Sequence, residues 1–153
     1  MLPTDDSLLA IVPPGGPGDF LLVMDARGEA DPSPFQRLGY GHIVSSQSGH
    51  FDLERDFYPY PNAHFKAIVC CDLLETLTHD PMYMMDEIHR VLRPGCHLVF
   101  TTRRYTLEQI RGLLESCGLE VTHLEKHGDR VCAAGRKIGI LRERYPSWLY
   151  PAR

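Results

Sequence analysis

The sequence has no run of Lys and Arg, and its 16 basic residues are outnumbered by 20 acidic ones, for a formal charge of −4. It therefore lacks the electrostatic footprint that a phosphate backbone demands, and a nucleic-acid partner is disfavoured. No apolar stretch is long enough to span a bilayer. The run Leu8–Val12 follows acidic Asp5 and Asp6 instead of a basic leader, so the expectation is a soluble, cytoplasmic protein without a membrane partner. The five cysteines, Cys70, Cys71, Cys96, Cys117 and Cys132, are odd in number, sit in apolar runs and lack metal-ligand spacing. Buried reduced thiols in a reducing compartment fit that pattern. Among eight histidines there is no i, i+4 pair with a Glu on one helix, which argues against a zinc hydrolase and leaves no metal site expected. The glycines and prolines of 13–18 lack the Lys-Ser/Thr of a P-loop, so a plain turn is preferred over a phosphate cradle. No G-x-G-x-x-G follows the first strand, which ranks a nucleotide-binding oxidoreductase low.

What is present reads as one α/β domain over 1–153. A content of 43% hydrophobic and 24% charged residues is that of an ordinary globular chain, and at this length one core suffices. Residues 1–19 are expected to be a loop or hairpin, and 136–153 a tail. Phe20–Met24 and Lys66–Cys71 are short unbroken apolar runs, as strands covered on both faces require. His42–Ser46 is a second short strand, preceded by a turn or two of helix over Phe35–Leu38, and 47–65 is a loop.

Asp80 as N-cap and Pro81 at the first helical position open a helix with Met82, Met85, Ile88 and Leu92 at helical spacing, stopped by Pro94-Gly95. His97–Thr102 is the next strand. Thr106 with Gln109 three residues on forms a capping-box pattern before a helix that Gly118 closes. Leu119–Leu124 and Val131–Ala134, separated by a turn at Gly128, form an antiparallel hairpin. Strands alternating with helices imply right-handed crossovers and a mainly parallel sheet.

The segment from Tyr58-Pro59-Tyr60-Pro61-Asn62 through Phe65–Glu75, Asp80-Pro81 and Glu87-Ile88-His89-Arg90-Val91-Leu92-Arg93-Pro94-Gly95 resembles the central block of class I, type 11-like S-adenosylmethionine-dependent methyltransferases. Residues 106–126 resemble the family's next helix and strand. The resemblance implies a Rossmann-like class I methyltransferase fold of reduced size, mainly parallel with a C-terminal antiparallel hairpin. It implies S-adenosylmethionine as cofactor and a small-molecule or glycan-linked acceptor.

By register, Met24–Asp31 stands where the family has its glycine-rich turn, which assigns Asp25, Ala26 and Gly28 to the cofactor, although side chains replace two or more glycines. The end of the second strand, Ser45-Ser46-Gln47, supplies no carboxylate; the ribose is then left to Ser46 or to Asp52 and Glu54 of the following loop. Cys71 and Asp72 end the family's fourth strand and line the cleft with Glu75. Thr76 replaces a family His and Cys96 a family Gly. His79 lies just past that strand with a pKa suited to proton removal, and is the catalytic candidate. Because the departures cluster on the ligand side, the alternative is an inactive methyltransferase-like scaffold that pairs with a partner protein.

Overall fold

The computed structural model describes residues 6–24, 32–46, 51–78 and 80–138. In chain order the elements are α1 (Asp6–Ile11), β1 (Phe20–Met24), a 3-10 turn (Ser33–Leu38), β2 (His42–Ser45), β3 (Phe65–Cys71), a second 3-10 turn (Leu74–Thr76), α2 (Met82–Val91), β4 (Leu92–Thr102), α3 (Leu107–Ser116), β5 (Leu119–His127) and β6 (Arg130–Lys137). The six strands form one sheet in the order β2-β1-β3-β4-β6-β5. The pairs β1–β2, β1–β3 and β3–β4 are parallel, while β6 pairs antiparallel with both β4 and β5. The expected mainly parallel sheet with a terminal hairpin is thus the observed one.

Both faces of the sheet are covered, which is why its central strands lack polar alternation. Leu22 and Met24 of β1, Ile68 and Cys70 of β3, and Leu98 and Phe100 of β4 pack with Met84, Met85 and Ile88 of α2 and Ile110 and Leu114 of α3. Leu21, Val23, Ala67, Val69 and Val99 turn to the other face, against Leu8, Val12, Phe35 and Tyr40. The adjacent Cys70 and Cys71 accordingly join different faces. All five cysteines are free thiols, and burial pushes the Cys70 thiol far above its ordinary value, as expected of a packing residue.

The N-terminal segment departs from the expected loop or hairpin: Asp6–Ile11 is helical. Leu8 and Val12, four residues apart, are both buried. A helix this short draws its stability from tertiary packing, not from propensity. The cluster at 13–18 is a turn, and the amides of Gly15 and Gly16 are consumed within the fold. Gly15 N–H donates to the Leu38 carbonyl (2.9 Å), Gly41 N–H to the Gly16 carbonyl (3.0 Å) and Gly16 N–H to Asp19 Oδ2 (2.8 Å). Tyr40 lies across Gly15 and donates its hydroxyl to the Pro13 carbonyl at 2.6 Å.

Three boundaries also differ. β4 begins at Leu92, and the Pro94-Gly95 bend, with Gly95 at φ +80°, interrupts its ladder with β3 between Phe65 and Ala67. The hairpin is longer than its apolar core, because β5 continues through the exposed Glu125-Lys126-His127. Two residues assigned to the tail, Arg136 and Lys137, belong to β6. The buried Lys137 ammonium donates to the carbonyls of His89 (2.6 Å) and Leu92 (2.8 Å), satisfying the end of α2. Residues 139–153 lie outside the described residues.

The two helix starts differ. Asp80 Oδ1 accepts the Met82 N–H at 2.8 Å, but α2 starts one residue later than expected, with Pro81 and not Asp80 at its N-cap. Thr106 and Gln109 make the reciprocal capping box of α3, with Gln109 N–H to Thr106 Oγ1 at 3.1 Å and Thr106 N–H to Gln109 Oε1 at 2.9 Å. Thr106→Ala removes the first of these, and the expected loss is about 1 kcal/mol. In a domain of this size that lowers the midpoint by roughly 2–5 °C, measurable by differential scanning calorimetry.

A buried ion pair fastens the proline-rich loop before β3. Glu87 and Arg90 of α2 pair at 2.9 Å. Glu87 Oε1 accepts the Tyr58 N–H at 2.8 Å, and the Arg90 guanidinium donates to the carbonyls of Tyr58 (3.0 Å) and Tyr60 (2.9 Å) and to Asn62 Oδ1 (2.9 Å). Burial of Glu87 opposes ionisation, but the bonds from Arg90 and Tyr58 outweigh it and hold the carboxyl below its ordinary 4.5. A depressed carboxylate stabilises the fold fully above the unfolded value and loses that contribution as pH falls through the folded one. Stability is therefore expected to fall as pH drops below about 4.5. Glu87→Gln should flatten that acid limb in urea titrations run at successive pH values; an unchanged limb counts against the assignment.

Candidate functional site

In the sheet order, the chain leaves β1 to one side for β2 and to the other for β3. Such a reversal opens a crevice outside the carboxyl ends of the parallel strands, where open α/β sheets hold ligands. On this edge lie Met24 of β1, Ser46 just past β2, Cys71 and Asp72 at the end of β3, and Thr101 and Thr102 at the end of β4. Antiparallel pairing of Thr102 with Val131 brings the start of β6, with Arg130, to the same edge.

Asp72 is the most constrained residue there. Its backbone sits at φ +46°, a left-handed conformation uncommon outside glycine. It is held by its own N–H, which donates to the Thr101 carbonyl and to Thr101 Oγ1, each at 3.1 Å. Asp72 Oδ2 accepts from the Arg130 guanidinium at 2.9 Å, with both side chains about 15% exposed. Its other oxygen, Oδ1, is buried and has no hydrogen-bond partner among the described residues. A buried acceptor left unmade costs on the order of 1–3 kcal/mol. Combined with the left-handed backbone, that makes Asp72 a candidate functional position.

Glu75, in the 3-10 turn that follows, accepts from the Thr102 hydroxyl, which draws it to the end of β4. Thr76, where the family has its His, donates its hydroxyl to the Leu73 carbonyl at 2.7 Å and serves its own turn. Asp52 and Glu54 are occupied within the loop. Asp52 Oδ1 accepts the Glu54 N–H at 2.8 Å, and the Glu54 carboxylate accepts both the N–H and the hydroxyl of Thr78 at 3.0 Å. Ser46 is buried at the end of β2. Asp25, Ala26, Gly28 and His79 lie outside the described residues.

Sequence reasoning passed over Thr101, Thr102 and Arg130. The first two carry a weak signal, as hydroxyls ending an apolar run. Arg130 carries none, because only the antiparallel register joins it to a residue 58 positions away. Among the described residues no His, Cys, Asp and Glu group has metal-holding geometry, and no helix is long and apolar enough to cross a membrane.

A doubly covered, mainly parallel sheet with a C-terminal antiparallel hairpin and a switch-point crevice defines a class I methyltransferase fold. Residues 35–100, about two fifths of the chain, match the model of the methyltransferase domain family. That match spans the segment whose motifs resemble the family, and S-adenosylmethionine is the cofactor of this class.

Solved structures carry the same fold across nearly the whole chain. An S-adenosylmethionine-dependent methyltransferase from Mesorhizobium loti is 13% identical with a TM-score of 0.68, covering 86% of this chain and 96% of its own. One from Aquifex aeolicus is 14% identical with a TM-score of 0.68, covering 87% and 89%. A third similar structure comes from the complex of the Haloferax volcanii Trm112 methyltransferase activator with a methyltransferase, at 13% identity and a TM-score of 0.70, covering 88% of each chain. A comparison with curated protein sequences finds no match.

Proposed function

We propose that this chain binds S-adenosylmethionine in the crevice between β1 and β3 and transfers its methyl group to a small-molecule or glycan-linked acceptor. The observation that carries the reading is the buried Asp72 Oδ1 at the strand switch point, which has no partner among the described residues. A cofactor that brings an ammonium and ribose hydroxyls supplies the donors this oxygen lacks, so the residues present fit the group. Bound there, the cofactor supplies an electrophilic methyl on a sulfonium.

The chain's own work is mainly positioning and exclusion of water. Asp72 holds one polar end of the cofactor, and Arg130 and Thr101 fix Asp72. Ser46, Cys71 and the residues that follow β1, Asp25, Ala26 and Gly28, complete the grip. Asp52 and Glu54 shape the neighbouring loop. Where the acceptor must lose a proton, His79 or Glu75 takes it. The reduced cysteines support a cytoplasmic setting.

Thermal shift and calorimetry with S-adenosylmethionine and S-adenosylhomocysteine test the reading. Ligand at a hundred times its dissociation constant stabilises by about 2.7 kcal/mol, a rise in midpoint of roughly 5–10 °C. No heat and no shift at millimolar ligand removes the enzyme and leaves a scaffold that acts with a protein partner. That second reading is favoured by one observation, the occurrence of a similar fold in complex with an activator protein.

A further inference from the structure

A second concave surface adjoins the crevice and holds charges that the reading above leaves unused. Its walls are the residues leaving β4, Arg103 to Thr106, the first turn of α3, and Lys126 and Asp129 from the β5–β6 hairpin; it encloses about 540 Å³. That volume suits a small molecule, within the roughly 300–1,000 Å³ of ligand pockets. Its lining begins at Arg103, one residue beyond the Thr102 that bonds Glu75 at the end of β4.

Five arginines elsewhere are held in ion pairs. Arg90 is paired with Glu87, Arg93 with Asp19, Arg111 with Glu115, Arg130 with Asp72 and Arg136 with Glu120. Arg103 and Arg104, like Arg37 and Arg55, form no ion pair among the described residues, and of these four only Arg103 and Arg104 line the cleft. Of its two carboxylates, Glu108 lies in the first turn of α3, where the helix dipole compensates it. Asp129 shares the hairpin wall with Lys126. The cleft thus carries three cationic residues to two carboxylates, and neither guanidinium of the doublet is engaged in an ion pair among the described residues. Guanidinium forks match the oxygens of phosphate groups, each able to make two parallel charge-assisted bonds.

We propose that the methyl acceptor is a small molecule bearing a phosphate or diphosphate group, which Arg103 and Arg104, with Lys126, hold in this cleft while its reacting end lies at the strand ends. The proposal rests on the methyltransferase reading for the identity of the acceptor, and on the cleft alone for its anionic chemistry.

The test uses inorganic pyrophosphate as probe, titrated into the full chain by calorimetry and by amide chemical shifts at constant ionic strength. Parallel titrations use S-adenosylmethionine. The expected result is saturable pyrophosphate binding with shifts centred on residues 103–108 and 126–131. Arg103→Gln with Arg104→Gln should weaken it at least tenfold, leaving S-adenosylmethionine affinity and the thermal midpoint unchanged. Both side chains are exposed, so the fold does not depend on them.

Absence of saturable pyrophosphate binding, or binding that the double substitution leaves intact, overturns the proposal; heat from S-adenosylmethionine in the same preparation then leaves the methyltransferase reading standing. Pyrophosphate binding without any response to S-adenosylmethionine removes the methyltransferase reading, and with it the acceptor assignment. Tighter binding of a short RNA than of pyrophosphate, abolished by the same substitutions, would make the cleft a polynucleotide groove and likewise overturn the proposal.

Discussion

Gly41→Ala is expected to destabilise the chain by more than about 3 kcal/mol, lowering its midpoint by at least roughly 10 °C or abolishing cooperative unfolding. A Cβ at position 41 would stand 1.7 Å from the Pro17 carbonyl oxygen, 2.5 Å from its carbonyl carbon and 2.8 Å from its Cα. All three are backbone atoms, so no side-chain rotation relieves the clash. Pro17 cannot retreat easily either. Gly16, its neighbour, accepts the Gly41 N–H and donates to Asp19, and prolines stiffen the whole turn. Moving residue 41 instead would break the His42 N–H bond to the Asp19 carbonyl, where β2 begins. β2 is an edge strand paired with β1 alone, so no second strand holds it in place. Against a total stability of 5–15 kcal/mol for a typical domain, the loss is large. Gly112→Ala is the control. It lies inside α3, a Cβ there meets nothing within 4 Å, and alanine should stabilise by roughly 0.5–1 kcal/mol. Equal chemical-denaturation midpoints for the two variants would refute the close-packing argument.

The strands were legible because each is short, unbroken and bounded by breakers, and because a doubly covered sheet suppresses the alternation that would otherwise mark a face. The hydrogen bonds at the helix starts were legible for a local reason. Thr106–Gln109 and Asp80–Met82 are contacts within three residues, so spacing alone specifies them. What escaped is what depends on distant partners. α1 has six residues and little helical signal of its own; the burial of Leu8 and Val12 makes it a helix. The outer part of β5 carries Glu125, Lys126 and His127, charges suited to blunting an edge strand, which hide it from any search for apolar residues.

The site divides in the same way. Cys71 and Asp72 were placed by a contiguous motif, and the structure sets them at the switch point. Asp52 and Glu54, the carboxylates assigned to the ribose, lie in a polar loop whose sequence gives no sign of their other hydrogen bonds. The structure commits both to loop hydrogen bonds, Glu54 to Thr78 across 24 residues. The glycine cluster at 13–18 has a packing purpose that emerges only when 38–42 docks against it.

Asp72→Asn is the sharpest single change at the candidate site, because it removes one charge while disturbing little else. At φ +46° an alanine or a branched residue would add backbone strain, whereas Asn tolerates the left-handed region better than most residues do. The amide keeps a carbonyl oxygen for the Arg130 guanidinium and leaves the backbone bonds to Thr101 untouched. What it loses is a carboxylate acceptor at Oδ1, the atom without a partner among the described residues. A hydrogen bond to a charged group contributes about 1.5–3 kcal/mol, so the dissociation constant for S-adenosylmethionine should rise roughly 10–150-fold by calorimetry. The Arg130 pair weakens at the same time, which is expected to lower the thermal midpoint by only a few degrees. Arg130→Gln separates the two effects: it loosens Asp72 but preserves its charge, and should weaken cofactor binding less than Asp72→Asn does. Unchanged S-adenosylmethionine affinity in Asp72→Asn would show that the strained carboxylate serves the fold alone, its buried oxygen answered by something other than the cofactor.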